Sequence, residues 1–279
     1  MVVAGQPAMH FISGLPRAGS TLLAAILRQN PAFHAAMSSP LAAMLVAMQA
    51  KMSNGEFNTF YDDATRVAML RGAFDSYYSI KAPMLDSGSV IFDSNRSWTA
   101  RPALLAKLYP NSRIICCVRH VGWIADSIEN MLIKNPLQFS RIFNYQPGNS
   151  INARVEQLMN SETGLIGLPW NHLRDAWFGP FANRLILIQY DRLASQPQQT
   201  MQALYRALDL PPFQHDFQNV SYAADDYDDS IGMPGLHKID PVVCKRERQP
   251  ILPPEIYAKA ASTHFWEGRN SHGNSATLL

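Results

Sequence analysis

The chain has 279 residues, 47% of them hydrophobic, and a formal net charge of +2 at pH 7. This length suits one large α/β domain or two small ones, with enough apolar residues to form a core. The near-neutral charge provides no broad basic field, so we expect no nucleic-acid partner. Three cysteines are too few for a disulfide scaffold.

The sequence also bears on the compartment. Cys116 and Cys117 are adjacent within an apolar run, which indicates buried thiols in a reducing environment. No apolar run reaches the roughly 18 residues that a membrane span needs, and no secretory leader is recognisable. We therefore expect a cytoplasmic protein with no membrane partner, folded as a single domain over residues 1–279.

Predicted strands and helices alternate along most of the chain. Apolar runs predict one strand around Phe11 and others at residues 89–92, 113–118 and 184–189. Helical spacing of apolar residues predicts helices at residues 20–29, 41–51, 59–80, 101–108, 121–133, 152–160, 165–177 and 198–208, and a last one after Pro254. The tail from residue 268 is expected to be loose. The alternation predicts a three-layer, P-loop-like α/β fold, with a central, mostly parallel sheet flanked by helices.

A glycine-bounded loop joins the first predicted strand to the first predicted helix. Gly14, Gly19 and Thr21 match the phosphate-loop pattern G-x-x-x-x-G-K-[ST], but Ser20 stands where that pattern has lysine. The only cation in the loop is Arg17. Unpaired amides and the helix dipole at such a turn bind phosphate or sulfate, so the loop predicts an anion site.

Ligands of open parallel sheets bind beyond the carboxyl ends of the strands. The segments that follow the four predicted strands are residues 14–21, 93–96, 119–120 and 190–191. We expect these segments to meet in one crevice.

Two of these segments carry a family resemblance. Gly14-Leu-Pro-Arg-Ala-Gly-Ser-Thr-Leu-Leu23 resembles the 5′-phosphosulfate loop of sulfotransferases that use 3′-phosphoadenosine 5′-phosphosulfate (PAPS). It looks closest to the version in tyrosylprotein sulfotransferases and many bacterial sulfotransferases. The block from Arg113 to Ser127 resembles their 3′-phosphate block, in which a strand ends in arginine and a serine follows eight residues later.

This resemblance implies which residues bind the donor. The 5′-phosphosulfate end would contact Arg17, Ala18, Gly19, Ser20 and Thr21, and the 3′-phosphate would contact Arg119 and Ser127. A guanidinium offers a forked, permanently charged donor that suits phosphate.

Two weaker matches lie later in the chain. Tyr190 falls in a segment that resembles a nucleotide-contacting stretch of these enzymes, although an aromatic packed at a strand end fits equally well. Lys238, with Lys245 as the alternative, resembles the lysine of a loop that covers the nucleotide.

The reaction that the resemblance implies is metal-free, in-line sulfuryl transfer to a hydroxyl or amine of an unidentified small-molecule acceptor. Arg17 and the loop amides would stabilise charge on the bridging oxygen. Arg96 lies near the position at which relatives carry a catalytic lysine.

The sequence does not identify the general base. Tyrosylprotein sulfotransferases carry a glutamate just after the first helix, but residues 31–54 here contain no carboxylate. Asp93 is the first candidate, with His34 and His237 behind it. The alternative for Asp93 is a strand-end carboxylate that pairs with Arg96 or caps a turn.

Two other functions remain open at this point. Val90-Ile-Phe-Asp93 looks like a Walker B strand, as in a P-loop kinase or NTPase, although Ser20 replaces the lysine on which phosphoryl transfer relies. A non-catalytic nucleotide-binding protein of the same fold is the second alternative.

Overall fold

The computed structural model of the protein describes residues 7–261, 264–267 and 275–279. Its strands are β1 (Ala8–Gly14), β2 (Phe33–Ala35), β3 (Val90–Ser94), β4 (Ile114–Val118), β5 (Leu185–Gln189) and β6 (Thr277–Leu278). They form one parallel sheet in the order β2-β3-β1-β4-β5-β6. All the carboxyl ends therefore lie along the same edge, as the sequence predicts.

Helices cover the sheet. They are α1 (Ser20–Leu27), α2 (Leu41–Met52), α3 (Asp63–Lys81), α4 (Pro102–Leu108), α5 (Val121–Lys134), α6 (Ile151–Met159), α7 (Gly167–Phe178), α8 (Tyr190–Ser195), α9 (Pro197–Ala207), α10 (Asp225–Ser230) and α11 (Pro254–Ala261). No helix in the described part of the chain is long and apolar enough to cross a bilayer. The three-layer α/β prediction is confirmed.

The central strands are buried on both faces, as continuous apolar runs predict. In β4, the side chains of Cys116 and Cys117 are both fully buried. Burial raises the pKa of the Cys117 thiol to about 12, so it stays protonated at neutral pH.

Four elements were not predicted: β2, α8, α10 and β6. β2 has three residues and β6 has two, which is too short for any hydrophobic period to be read. The loose tail expected from residue 268 lies partly outside the described residues. Its described end is ordered instead, because Thr277 pairs with Ile186 of β5.

Candidate active site

A cavity of about 460 Å³ opens at the carboxyl edge of the sheet. That volume lies within the range of small-molecule sites. Its lining includes residues from every predicted strand end: Arg17, Gly19, Ser20 and Thr21 after β1, Asn95 and Arg96 after β3, Arg119 after β4, and Tyr190 after β5. The predicted meeting of these segments in one crevice is therefore found. Lys238 also lines it, whereas Ala18 is buried and neither Ala18 nor Ser127 faces the cavity.

Two glycines give the loop its shape. Gly14 has a φ of 104°, and a Cβ there would lie 2.3 Å from the Cys117 carbonyl oxygen. Gly19 has a φ of 93°, and a Cβ there would lie 2.9 Å from Cδ2 of Tyr190. Both positions combine a left-handed backbone with a close neighbour, so only glycine fits without strain. The loop therefore turns sharply enough to bring the start of α1 over the cavity.

The first turn of α1 presents its amides to this cavity. The first intrahelical hydrogen bond runs from the Leu23 amide to the Gly19 carbonyl at 2.8 Å, so the amides of Gly19, Ser20 and Thr21 precede it. No side chain caps the helix, and its first turn contains no acidic residue. Open amides at the positive end of the helix dipole form an anion site.

Arg17 connects the loop to two other parts of the chain. Its Nε donates to Ser127 Oγ at 3.2 Å, and its Nη1 donates to the Leu236 carbonyl oxygen. Arg119 Nη1 in turn donates to the Arg17 carbonyl oxygen at 3.2 Å. The loop and the Arg119 segment are thus neighbours within one hydrogen-bond network, close enough for a single nucleotide to reach both.

Neither Arg17 nor Arg119 forms an ion pair among the described residues, although Asp228 and Asp191 act on them from farther away. Burial first, and then the neighbouring Arg119 guanidinium, lower the pKa of Arg17 below its usual value. The Arg119 guanidinium lies 4.0 Å from the Tyr190 ring centroid, and its buried Nε has no hydrogen-bond partner among the described residues. An unpaired buried donor of this kind fits a bound phosphate oxygen.

Two further cations face the cavity, Arg96 and Lys238. Both side chains are exposed, and neither forms an ion pair within the described ranges. The Arg96 carbonyl oxygen accepts hydrogen bonds from Ser13 Oγ at 3.0 Å and Thr99 Oγ1 at 3.2 Å. The backbone of Arg96 is therefore fixed while its guanidinium remains available to a ligand.

The structure places Asp93 away from the cavity. Its carboxylate is fully buried and accepts hydrogen bonds from Tyr78 OH at 2.6 Å, Trp98 Nε1 at 2.7 Å and Ser39 Oγ at 2.9 Å. Burial raises the pKa of Asp93, and these hydrogen bonds oppose that rise. A carboxylate committed to three donors inside the core cannot reach an acceptor. The expectation that Asp93 is the base is corrected, and so is its alternative pairing with Arg96.

His237 has the geometry that Asp93 lacks. It lines the cavity, and its Nδ1 lies 2.5 Å from Oδ1 of the fully buried Asp228. The His237 amide donates to the other Asp228 oxygen at 2.7 Å. Nε2 is left without a partner among the described residues. His34 lies outside the lining and packs edge-to-face on Tyr78, with ring centroids 5.3 Å apart.

Sequence reasoning missed Asp228. It belongs to an acidic, mostly exposed stretch, residues 225–229, and nothing in the sequence distinguishes it as the buried member of that stretch. Burial lowers the pKa of His237 below its usual value, while the Asp228 carboxylate acts in the opposite direction. The net effect favours a neutral imidazole at neutral pH, as a base requires.

The lining also contains apolar and aromatic side chains from several loops: Met37, Ile142, Leu165, Tyr227, Ile231, Ile239 and Val242. Polar side chains line it as well, among them Ser38, Asn95 and Asp240. The cavity is therefore of mixed polar and apolar character.

A larger hollow, about 1390 Å³, lies at the opposite edge of the sheet. Its arginines bind the protein's own backbone: Arg113 donates to the Asn183 carbonyl oxygen and Arg184 to three further carbonyls. His10 accepts a hydrogen bond from the Arg113 amide at 3.0 Å, and burial lowers its pKa to about 4. These groups hold loops together at the amino ends of the strands.

Comparison with known proteins agrees with the geometry. Residues 10–215, more than half of the chain, match the model of the sulfotransferase family. The fold is similar to a sulfotransferase domain from the curacin biosynthetic pathway, with a TM-score of 0.54 and 17% identity over 92% of this chain and 97% of that one. It is also similar to a sulfotransferase from Alicyclobacillus acidocaldarius, with a TM-score of 0.50 and 14% identity over 81% and 89% of the two chains.

Identities this low show a shared fold alone, and no curated protein matches the sequence. Family membership rests instead on the family match, which extends from β1 to beyond α9 and includes both arginine segments. The chain belongs to the sulfotransferase family.

Proposed function

We propose that the protein transfers a sulfuryl group from PAPS to a hydroxyl or amine of a small-molecule acceptor. The observation that carries the proposal is the contact between Arg119 Nη1 and the Arg17 carbonyl oxygen, at 3.2 Å. It brings two anion-binding segments together, and PAPS carries anionic groups at two ends of one adenosine.

The anionic groups of PAPS match the hydrogen-bond donors that the chain leaves available. The amides of Gly19, Ser20 and Thr21 and the Arg17 guanidinium would hold the 5′-phosphosulfate. The unpaired Nε of Arg119 would hold the 3′-phosphate, with Ser127 beside it through its contact with Arg17. Lys238, exposed at the cavity, would cover the nucleotide.

In the reaction, the acceptor oxygen or nitrogen forms a bond to sulfur while the bond between sulfur and the bridging oxygen breaks, and that oxygen leaves with the 5′-phosphate of the nucleotide. His237 Nε2 takes the acceptor proton, and the buried Asp228 carboxylate holds Nδ1–H and stabilises the imidazolium. Arg17 and the loop amides stabilise the negative charge that remains on the departing nucleotide. Arg96, exposed and unpaired among the described side chains, assists at the sulfuryl oxygens.

The kinase alternative is less well supported. Ser20 occupies the lysine position, and the buried Asp93 is not available to a metal at the cavity.

We also propose that the reaction needs no metal, that no nucleic acid binds, and that the protein acts in the cytoplasm. Within the described ranges, no group of three or more His, Cys, Asp or Glu side chains is arranged to hold a metal ion.

The test has two stages. Calorimetric titration in metal-free buffer should show binding of 3′-phosphoadenosine 5′-phosphate. If that nucleotide does not bind, and a separate titration with Mg²⁺-ATP shows tight binding, a kinase would be favoured. Labelled PAPS should then transfer sulfate to members of a panel of apolar alcohols, phenols and amines. Nucleotide binding with no transfer or sulfate release in any assay would indicate a non-catalytic binding protein.

A pair of variants locates the donor site. Arg17→Ala should abolish detectable transfer, because it removes the cation beside the open amides of α1. The matched control is Arg28→Ala at the far end of that helix, whose guanidinium stacks on Tyr222. The control should retain transfer, and equal losses in the two variants would contradict the loop assignment.

A further inference from the structure

One buried carboxylate on α5 has no part in the chemistry proposed above. Asp126 is fully buried, and its Oδ1 accepts hydrogen bonds from the amides of Ile251 at 2.6 Å and Leu252 at 3.2 Å. Its Oδ2 pairs with the guanidinium of Arg248, which also lies 4.8 Å from the Trp123 ring centroid. A charged side chain is rarely buried unless it is paired, and here the partners belong to one short segment late in the chain.

That segment is residues 242–252, which we name the strap. Residues 244–251 are all exposed. Within the described part of the chain, no hydrogen bond between main-chain groups involves residues 244–250. The strap is therefore fastened to the rest of the protein chiefly by its side chains and by its contacts with Asp126.

The other ion pairs of the strap lie in solvent. Lys245 Nζ lies 3.5 Å from Oδ2 of Asp191, and Arg246 Nη2 lies 3.1 Å from Oδ1 of Asp240, with all four side chains about half exposed or more. Exposed pairs contribute little to stability, whereas the loss of one partner from a buried pair is costly. Asp126 is therefore the principal fastening of the strap.

The strap runs along the Arg119 end of the cavity. Residues 242–244 line the cavity together with Arg119. Burial lowers the pKa of Arg119, and the nearby Arg248 guanidinium adds to that shift. Asp191, which pairs with the strap, directly follows Tyr190, whose ring lies against the Arg119 guanidinium. The strap thus adjoins the side chain to which the 3′-phosphate is assigned.

We propose that Asp126 is a positioning residue that holds the strap along the Arg119 end of the donor site and thereby slows the release of nucleotide. This inference rests on the proposed function. Asp126 also precedes Ser127, so adjacent residues of α5 carry the fastening and a group placed beside the 3′-phosphate. An exposed segment without main-chain hydrogen bonds opens locally at low cost once its fastening is removed. The carboxylate therefore governs how long the nucleotide stays bound without touching it.

Limited proteolysis tests the fastening without nucleotide, so its result is independent of the proposed function. Trypsin cleaves after lysine and arginine, and Lys245, Arg246 and Arg248 all lie in the exposed part of the strap. Asp126→Ala should accelerate cleavage there about tenfold or more, while the remaining sites keep the rate of the unmodified protein. Unchanged cleavage in the strap would overturn the proposal. Should Asp126→Ala fail to fold, Arg248→Ala tests the same contact, because it leaves the carboxylate bonded to two amides.

The positioning role is tested by the release of labelled 3′-phosphoadenosine 5′-phosphate, chased with unlabelled nucleotide. Asp126→Ala should speed release about tenfold or more, which is the effect expected from one lost hydrogen bond to a charged group. Asp126→Asn and Arg248→Ala should each have a smaller effect, because both variants keep an acceptor for the amides of Ile251 and Leu252. Asp126→Ala combined with Arg248→Ala should be no faster than Asp126→Ala alone, since the two side chains form one contact. In Asp126→Ala, KM for PAPS should rise and kcat should not fall.

Arg246→Ala is the matched control, because it removes an arginine of the same strap whose partner is exposed. It should leave release unchanged, and equal effects of Arg246→Ala and Arg248→Ala would overturn the proposal. So would faster release in Arg248→Ala but not in Asp126→Ala, because Arg248 would then bind the nucleotide itself. Faster cleavage of the strap with unchanged release would also overturn it, since Asp126 would then be structural only. No nucleotide binding by the unmodified protein would instead refute the proposed function, and with it the nucleotide as the ligand that the strap retains.

Discussion

Replacing Arg119 with alanine separates the two halves of the proposed donor site. The guanidinium has a buried Nε with no partner among the described residues, and it lies 4.0 Å from the Tyr190 ring centroid. If that Nε binds the 3′-phosphate, Arg119→Ala weakens nucleotides that carry this phosphate far more than those that lack it. A general effect on folding would instead weaken both equally.

The size of the effect follows from the bond that is lost. A hydrogen bond between charged groups contributes about 1.5–3 kcal/mol, which corresponds to roughly ten- to 150-fold in affinity. Arg119 is half-buried, so solvent screening does not reduce this to the value of a surface pair. The loss of its bond to the Arg17 carbonyl should weaken both nucleotides by a similar factor, about two- to tenfold, so the ratio of the two affinities isolates the bond to the 3′-phosphate.

The assay is calorimetric titration of each variant with 3′-phosphoadenosine 5′-phosphate and with adenosine 5′-phosphate. Arg113→Ala is the matched control, because Arg113 precedes the same strand and binds the Asn183 carbonyl at the opposite edge of the sheet. It should leave both affinities unchanged. Equal losses for both nucleotides in Arg119→Ala would refute the assignment of the 3′-phosphate to this arginine.

Four further predictions concern the base, its partner carboxylate, the loop and the core. His237→Gln should lower turnover by about 100-fold or more, with little change in the affinity for PAPS. In the unmodified enzyme, turnover should fall only at pH values below the usual histidine pKa, because burial lowers the pKa of His237. Asp228→Asn should move this acidic limb to still lower pH, since the carboxylate raises the histidine pKa, and an unmoved limb would argue against the pair. Gly19→Ala should weaken donor binding about tenfold, because the added Cβ meets Tyr190 in a left-handed backbone; unchanged affinity would show that the loop adapts. Asp93→Ala should lower the free energy of unfolding in urea by about 3–5 kcal/mol, because it leaves the buried hydrogen-bond donors of Tyr78 and Trp98 without an acceptor. The affinity for PAPS should be retained. Full stability with lost turnover would instead indicate a catalytic role for Asp93.

The sheet could be read from sequence because its central strands are apolar on both faces. The apolar runs at β3, β4 and β5 are shorter than a typical helix, which favours strands, and glycines and arginines follow β1 and β4 where ligands of parallel sheets bind. This pattern predicts that the glycine loop and Arg119 lie at the carboxyl edge of the sheet, whereas the phosphate role of Arg119 is what the family resemblance implies. Their proximity was a consequence of strand order, since β1 and β4 are neighbours.

Asp93 shows why the rest could not be read. The predicted strand stopped at residue 92, which placed Asp93 at a strand end. The observed β3 continues to Ser94, so Asp93 lies inside the sheet opposite Phe11. Its partners Tyr78 and Ser39 come from parts of the chain whose proximity no local pattern encodes.

The pairing of His237 with Asp228 was hidden for a related reason. The acidic stretch around Asp228 is exposed except at that one position, and burial of a single carboxylate depends on how the turn after α10 folds back. Positive φ values at Gly232 and Gly235 allow this fold-back. The sequence shows the glycines and the histidine, but not which acid the histidine meets.

The most direct measurement is a crystal structure of the complex with 3′-phosphoadenosine 5′-phosphate. We predict the 5′-phosphate at the amides of Gly19, Ser20 and Thr21 beside Arg17, and the 3′-phosphate on Arg119, with His237 facing the open space beyond the 5′-phosphate. A nucleotide bound elsewhere, or bound here with its 3′-phosphate away from Arg119, would contradict the account.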